Sequence, residues 1–171
     1  MKQRTLLKTL LAAAVLTAAG PTLAQPKLKW AHVYETSEPY HTESVWAAEE
    51  IKKRTNGKFE IQVFPASSLG KETDINQGMQ LGTVDMIISG PSFAARSYPR
   101  LGIAYYPFIF RDGDHLLAYS KSPVFKEMID GFREKTGIQI LAYTYYGARH
   151  TTSKTELKDC AGMQGLTIRA P

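Results

Sequence analysis

Strand-like and helix-like stretches alternate along most of this chain, and no other feature of the sequence limits the fold as strongly. Residues 28–34 (LKWAHVY) and 59–64 (FEIQVF) show the two-residue alternation that predicts β-strands. Between them, apolar residues recur at helical spacing over 41–55, and Asn56-Gly57 is a typical helix stop. A strand, a helix and a strand in this order predict a βαβ unit with parallel strands and a right-handed crossover.

The alternation continues to residue 145, which predicts an α/β domain with a mostly parallel sheet. Helices are predicted over 71–81, 112–120 and 123–136, and strands over 84–89, within 101–110 and over 138–145. The inward residues are expected to be Ile75, Met79 and Leu81 in the first of these helices and Val124, Met128, Ile129 and Phe132 in the last. Ligands of such sheets bind beyond the carboxyl ends of the strands. The segments to examine are therefore 34–41, 65–72, 89–93 and 145–152.

The first 24 residues have the layout of a secretory signal peptide. Lys2, Arg4 and Lys8 precede an uncharged run over 9–19, and small residues lead up to Ala24. The apolar run is shorter than the roughly 20 residues that span a bilayer. We expect cleavage after Ala24 and export to the periplasm.

The charge balance argues against nucleic acid as a partner. Three of the 21 Lys and Arg residues lie in the signal peptide, so 18 basic residues face 16 acidic ones in the remainder. The remaining charges are mixed along the chain rather than gathered in a basic block.

The sequence contains no recognisable catalytic or metal-binding pattern. The four histidines show no metal-ligand spacing, and the stretch GPSFA at 90–94 lacks the second glycine of a nucleophile elbow. No glycine-rich phosphate loop is present, and Cys160 is the sole cysteine. We therefore expect no metal, no cofactor and no enzymatic activity.

Two arginines near the end of the chain are the strongest candidates for a binding role. Arg149 follows the predicted strand 138–145 among small, hydroxylated and aromatic residues, and Arg169 lies in a short apolar stretch that resembles a strand. A buried charge without a partner costs several kcal/mol. Arg169 should therefore pair with Asp159 or with an external anion.

Six stretches, in order, resemble the solute-binding proteins of tripartite ATP-independent periplasmic (TRAP) transporters, the dicarboxylate-binding DctP type. They are KRTNGKFEIQVFP (53–65), LGKE (69–72), QLGTVDM (80–86), YPFIF (106–110), GAR (147–149) and GLTIRAP (165–171). Together they extend over nearly all of residues 28–171. The chain departs from the family pattern at Thr167, where lysine is usual.

The resemblance implies a periplasmic binding protein of type II-like fold, whose two lobes close on a small organic acid. It implies that Arg169 forms a bidentate salt bridge with the ligand carboxylate, that Arg149 is a second cleft arginine, and that Glu72 is a weaker candidate. Membrane permease subunits of the transporter would receive the ligand. The alternatives are a binding protein that serves an ATP-driven transporter or a sensor kinase, or a secreted enzyme on a similar scaffold.

The resemblance also predicts how the chain is divided. Residues 1–24 are the signal peptide, 25–146 the first α/β lobe, and 147–171 the start of an incomplete second lobe. Because family members are considerably longer, we expect this chain to be a truncated form that binds ligand weakly or not at all by itself.

Overall fold

The computed structural model describes residues 27–169 and contains a three-stranded parallel sheet. Its strands are β1 (Lys27–Ala31), β2 (Glu60–Phe64) and β3 (Met86–Ile87), in the order β2-β1-β3. The central strand β1 pairs in parallel with both neighbours, and Trp30 is opposite Val63 on one side and Met86 on the other. The predicted α/β class with a parallel sheet is confirmed. The predicted signal peptide lies outside the described residues.

Two helices make the crossovers between these strands. Helix α1 (Pro39–Arg54) connects β1 to β2, and helix α2 (Glu72–Leu81) connects β2 to β3. The chain leaves α1 through Asn56 and Gly57, which both have positive φ, and α2 ends at Gly82 in the left-handed conformation. Glycine adopts this conformation without the steric cost that a Cβ imposes, so both predicted stops are confirmed.

The sheet and α2 enclose the first of two hydrophobic clusters. Its buried members are Ala31, Ile75 and Val84, and Val33, Phe64 and Ile87 pack around them. Leu81, predicted to point inward, is instead 79% exposed. It lies six residues after Ile75, and at 3.6 residues per turn this separation places it well away from the buried face.

The second cluster lies among the helices that follow the sheet. These are α3 (Pro91–Ala94), the 3₁₀ helix Pro99–Tyr105, α4 (Gly113–Ser120) and α5 (Pro123–Thr136). Leu101, Met128 and Phe132 form the centre of this cluster. Asp112 and Ser122 cap the first turns of α4 and α5 by accepting hydrogen bonds from the backbone N–H groups of His115 and Phe125.

Two details of the prediction for this half are wrong. Residues 101–110 contain no strand: the 3₁₀ helix covers the first five residues, and Phe108 has a positive φ that interrupts extended structure. Val124, predicted to be inward, is 54% exposed, whereas Phe125 is buried. The buried face of α5 follows Phe125, Met128 and Phe132 at spacings of three and four, and Val124 lies one position before it.

Residues 138–145 do not form the predicted strand. They run outside any helix and join no β-ladder within the described range, although Ile138 and Ile140 pack against the second cluster. Residues 165–169 likewise make no ladder. A strand requires a neighbouring strand for its backbone hydrogen bonds, and residues 27–169 supply none beside either segment. No helix in this part of the chain is long and apolar enough to cross a membrane.

Candidate functional site

The four segments that were predicted to converge at the carboxyl edge of the sheet do meet there. Backbone N–H groups of Ala66 and Ser67, after β2, donate to the carbonyl oxygens of Tyr34 and His32, after β1, at 2.9 and 3.2 Å. Ala66 and Ser67 both have positive φ, of 50° and 57°, so the chain turns sharply at this edge. The segment after β3 joins through Ser89, and residues 144–146 join through tyrosine contacts described below.

Glu72, one of the three predicted site residues, holds two of these segments together. It is the first residue of α2, and its Oε1 accepts hydrogen bonds from the Ser89 hydroxyl at 2.9 Å and the Gly90 backbone N–H at 2.6 Å. Asn76 donates to the same Ser89 hydroxyl at 2.8 Å. One carboxylate oxygen of Glu72 thus fixes the start of α2 to the end of β3, and in the described residues Oε2 has no such bond.

Three tyrosine rings form a cluster over the end of β1, and we call Tyr34, Tyr40 and Tyr146 the tyrosine cluster. Tyr40 and Tyr146 are stacked, with centroids 5.0 Å apart and an interplanar angle of 13°. Tyr34 contacts both rings, at 4.7 and 5.3 Å. Burial raises the pKa of Tyr34 well above its ordinary value, and the nearby Glu72 carboxylate adds to this shift. The Tyr34 hydroxyl is therefore a neutral hydrogen-bonding group at neutral pH.

Two hydroxyls of the cluster bind neighbouring polar groups. The Tyr146 hydroxyl donates to Glu38 Oε2, and the Tyr40 hydroxyl is 2.7 Å from Thr144 Oγ1. The hydrogen bond from Tyr146 lowers the pKa of Glu38, and the same bond raises the pKa of Tyr146. Glu38 is therefore ionised where this bond forms.

A buried histidine lies beneath the cluster. His32 is only 1% exposed, and its Nε2 is 3.3 Å from Nδ1 of His41. Its Nδ1 has no hydrogen-bond partner among the described residues. Burial, followed by the charge of His41, lowers the pKa of His32. A neutral imidazole at this position is the form that the fold favours.

Arg149 is exposed and lies against an aromatic ring. Its Cζ is 5.2 Å from the centroid of Tyr105, a cation–π contact that positions the guanidinium without neutralising it. The chain reaches Arg149 through Gly147, whose φ is +123°. All of the N–H groups of the guanidinium lack a carboxylate partner in the described part of the chain.

Arg169 differs from the sequence expectation of a paired arginine in an apolar strand. Its side chain is exposed, and no ion pair involves it within residues 27–169. Asp159, one of the two partners expected for Arg169, instead accepts a hydrogen bond from the Gly162 backbone N–H at 3.0 Å; the other, an external anion, stays a prediction. The apolar neighbours Leu166 and Ile168 are exposed too, because no strand pairs with this segment here. No hydrogen bond or ion pair among the described residues joins Arg149, Arg169 and Glu72 to one another.

The tyrosine cluster and the buried histidine were not predicted from the sequence. A signal was present, since Tyr34, Tyr40 and Tyr146 all fall in segments predicted to follow strands. Sequence spacing alone could not show that residues more than 100 positions apart stack on one another.

Residues 30–171 match the family model of the bacterial extracellular solute-binding proteins, family 7, known as DctP. The chain belongs to this family. This match confirms the family membership that the six sequence stretches indicated.

Relatives and solved structures agree with this assignment. The 2,3-diketo-L-gulonate-binding periplasmic protein of Escherichia coli is 28% identical over 170 residues, which are 99% of this chain and 52% of that protein. A TRAP periplasmic solute-binding protein of Haemophilus influenzae with bound L-gulonate has a TM-score of 0.64 and 29% identity, and the match covers 68% of this chain and 38% of that one. One from Roseobacter denitrificans with bound L-galactonate has a TM-score of 0.63 and 30% identity, and covers 67% and 38%.

These matches establish the fold and leave part of the family's length uncovered. The DctP chain has the type II-like fold of TRAP periplasmic solute-binding proteins. It spans about half the length of the curated relatives it matches. The boundaries at residues 24 and 146 stay predictions.

Proposed function

We propose that this DctP protein is the substrate-binding component of a TRAP transporter. It captures a small organic acid in the periplasm by closure of two lobes and delivers it to membrane permease subunits. The observation that carries the proposal is the family match over residues 30–171. Two TRAP solute-binding proteins share its fold and are 29% and 30% identical over the 68% and 67% of this chain that they cover; they hold L-gulonate and L-galactonate.

Arg169 is the proposed carboxylate clamp, and Arg149 the second cleft arginine. A guanidinium presents paired N–H donors that match both oxygens of a carboxylate, which fixes orientation as well as charge. Both guanidinium groups are exposed and have no carboxylate partner among residues 27–169, so neither has to leave a competing ion pair to receive an anion. Glu72 is the third candidate, since its Oε2 can accept a hydrogen bond from a ligand hydroxyl.

Six-carbon sugar acids are the proposed substrate class. Three relatives named above bind 2,3-diketo-L-gulonate, L-gulonate or L-galactonate, which share one carboxylate and a chain of oxygenated carbons. Such a ligand needs a cationic clamp at one end and neutral hydrogen-bonding groups along its length. Arg169 and Arg149 provide the first, and the neutral hydroxyls at the carboxyl edge of the sheet are of the kind that the second requires.

The proposal includes export and excludes turnover. The signal peptide would be cleaved after Ala24, and the second lobe would begin at residue 147. The similar proteins are solute-binding proteins, and the ligand would leave the site chemically unchanged.

A ligand screen on the product of the complete gene, including any residues encoded beyond position 171, tests the proposal. L-gulonate, L-galactonate, D-galacturonate and succinate would be compared by thermal shift. A ligand at 100 times its dissociation constant adds about 2.7 kcal/mol of stability. L-gulono-1,4-lactone is the matched control, because it keeps the carbon skeleton but carries no carboxylate. Equal stabilisation by the acid and the lactone would refute a carboxylate clamp.

The variant Arg169→Lys tests the clamp itself. Lysine retains the charge and loses the planar fork, so we expect affinity for the best acid to fall about tenfold or more, or at least about 1.4 kcal/mol. Arg149→Ala should also weaken binding. Arg100→Lys is the control. This variant should leave affinity unchanged, because Arg100 already pairs with Glu127 at 2.9 Å. Unchanged affinity in Arg169→Lys, measured by calorimetry, would show that the clamp is assigned to the wrong residue.

A further inference from the structure

Residues 143–146 form an extended strap that is held on both of its faces. On one face, the Tyr143 ring lies 5.2 Å from that of Phe125, and its hydroxyl donates to the Ala104 carbonyl oxygen at 3.3 Å. Burial raises the pKa of Tyr143 to about 12. On the same face, the Tyr145 ring packs so closely on Gly113 that a Cβ there would lie 3.1 Å from ring carbons.

The alternate residues of the strap bind the opposite side of the molecule. Thr144 contacts the Tyr40 hydroxyl, and Tyr146 stacks on Tyr40 while donating to Glu38. Glu38 and Tyr40 lie at the start of α1, next to the end of β1. In an extended chain, successive side chains point to opposite faces. The odd-numbered residues of the strap therefore contact the helical half of the fold, and the even-numbered ones contact the sheet half.

The strap leads directly into residues 147–169, which we call the arginine segment because they contain Arg149 and Arg169. Gly147 follows Tyr146 and has a φ of +123°, a conformation that residues with a side chain rarely adopt. Two residues later, Arg149 rests on Tyr105. The last anchored side chain before Arg149 is thus Tyr146, and the glycine with positive φ follows it immediately.

We propose that the stack of Tyr146 on Tyr40, together with the Tyr146–Glu38 hydrogen bond, positions Arg149 for ligand binding. This inference rests on the proposed function. Tyr40 and Tyr146 are the positioning residues, and the Glu38 carboxylate anchors Tyr146. Tyr146 acts through Arg149. It fixes the position at which the arginine segment begins, and this limits the positions from which the Arg149 guanidinium can bind the anion. Without the anchor, Gly147 would let the segment pivot, and binding would carry the cost of ordering it.

The first experiment needs no ligand and uses the product of the complete gene. Trypsin cleaves after Arg149, so the rate of that cleavage in the native protein reports how freely the segment moves. Mass spectrometry would follow it relative to cleavage after the exposed Arg111. We expect Tyr146→Ala to accelerate cleavage after Arg149 about threefold or more, and Tyr146→Phe, which keeps the stack, to accelerate it less. Tyr145→Phe is the matched control, because the Tyr145 hydroxyl makes no hydrogen bond among the described residues.

The second experiment separates positioning from general stability by a double-mutant cycle. Affinity for L-gulonate would be measured by calorimetry in the wild type, Tyr146→Ala, Arg149→Ala and the double variant. Residues that act through each other are not additive. We expect Tyr146→Ala to weaken binding about fivefold in the wild-type background and less than about twofold when Arg149 is already absent.

Each outcome bears on a different statement. Cleavage rates that do not respond to Tyr146→Ala would overturn the anchor. The same fold-loss of affinity in both backgrounds would show that Tyr146 does not act through Arg149, and would also overturn the inference. If Arg149→Ala leaves L-gulonate binding intact, the positioning role fails with it, whereas the proposed function still stands on Arg169. If the wild type binds none of the screened acids, the proposed function fails, and the cleavage rates alone decide whether the tyrosines hold the segment.

Discussion

The folded body over residues 27–146 and the arginine segment over residues 147–169 follow different physical rules. The body contains both hydrophobic clusters and all three strands. In the arginine segment every residue is exposed except Leu157 and Met163, which are half-buried, and its sole regular element is the short 3₁₀ helix Ala161–Met163. The proposed clamp arginines both lie in this segment.

The difference separates residues that maintain the fold from residues that are free to bind. Some charged groups in the body already have partners, as Glu72 has in Ser89 and Gly90 and Arg100 has in Glu127. Arg149 and Arg169 have no carboxylate partner in the described residues. The tyrosine cluster is the connection between the two regions, because Tyr146 is anchored in the body and immediately precedes the segment. The predictions below test the contrast on the product of the complete gene.

The largest expected effect comes from truncating the body's core. Ile75 is 1% exposed in the first cluster, and Ile75→Ala should lower the free energy of unfolding by about 3 kcal/mol through lost burial and a residual cavity. Ile168→Ala removes the same atoms from a side chain that is 55% exposed. It should change the free energy of unfolding by less than about 0.5 kcal/mol. Denaturant unfolding measures both. Similar losses in the two variants would show that the arginine segment is packed in the complete protein, and the contrast would be broken.

A smaller effect should distinguish the charged groups of the two regions. Glu72→Gln keeps the shape of the side chain but weakens two charge-assisted hydrogen bonds, so the free energy of unfolding should fall by about 1 kcal/mol. Arg169→Gln should change the free energy of unfolding by less than about 0.5 kcal/mol relative to the wild type. It should instead reduce the affinity for acids. Thermal unfolding with and without ligand separates the two readouts. A marked loss of stability in ligand-free Arg169→Gln would indicate that Arg169 has a structural partner.

The smallest effect is a dependence of stability on pH that arises in the body. Burial, and then the charge of His41, lower the pKa of His32 below its ordinary value of 6.5, while the Tyr34 backbone and the Glu38 carboxylate oppose this shift. The unfolded chain therefore binds a proton at higher pH than the folded one. The contribution of His32 to stability is complete above pH 6.5 and is lost as the pH falls toward its folded pKa.

Nuclear magnetic resonance titration of the His32 ring checks this directly, with a midpoint expected below 6.5. His32→Gln should flatten the dependence of the unfolding free energy on pH between 7 and 5. A ring that titrates above 6.5 would mean that an acceptor in the complete protein stabilises the charged form, and the assignment of a neutral buried imidazole would be wrong.

Patterns of local origin could be predicted from the sequence. Helices α1, α2, α4 and α5 and the first two strands lie within a few residues of their predicted bounds, because hydrophobic periodicity and stops such as Gly82 and Gly137 act over one or two turns. The predictions that failed depend on neighbours. Residues 138–145 have strand-like composition, but a strand exists only where a second chain segment accepts its hydrogen bonds. Leu81 is exposed despite its hydrophobicity because it lies six residues after Ile75 on α2, away from the buried face.

The sequence by itself determined the α/β class and the family and provided the two candidate arginines, since alternation, motif order and residue chemistry are all properties of the linear chain. Only the tertiary structure decided that Tyr40 stacks on Tyr146 across 106 positions and that Glu72 joins α2 to the segment after β3. It also decided that His32 is buried with no partner for Nδ1 among residues 27–169. Such contacts arise when the burial of apolar surface brings distant segments together, and no local pattern in the sequence records which side chains will meet.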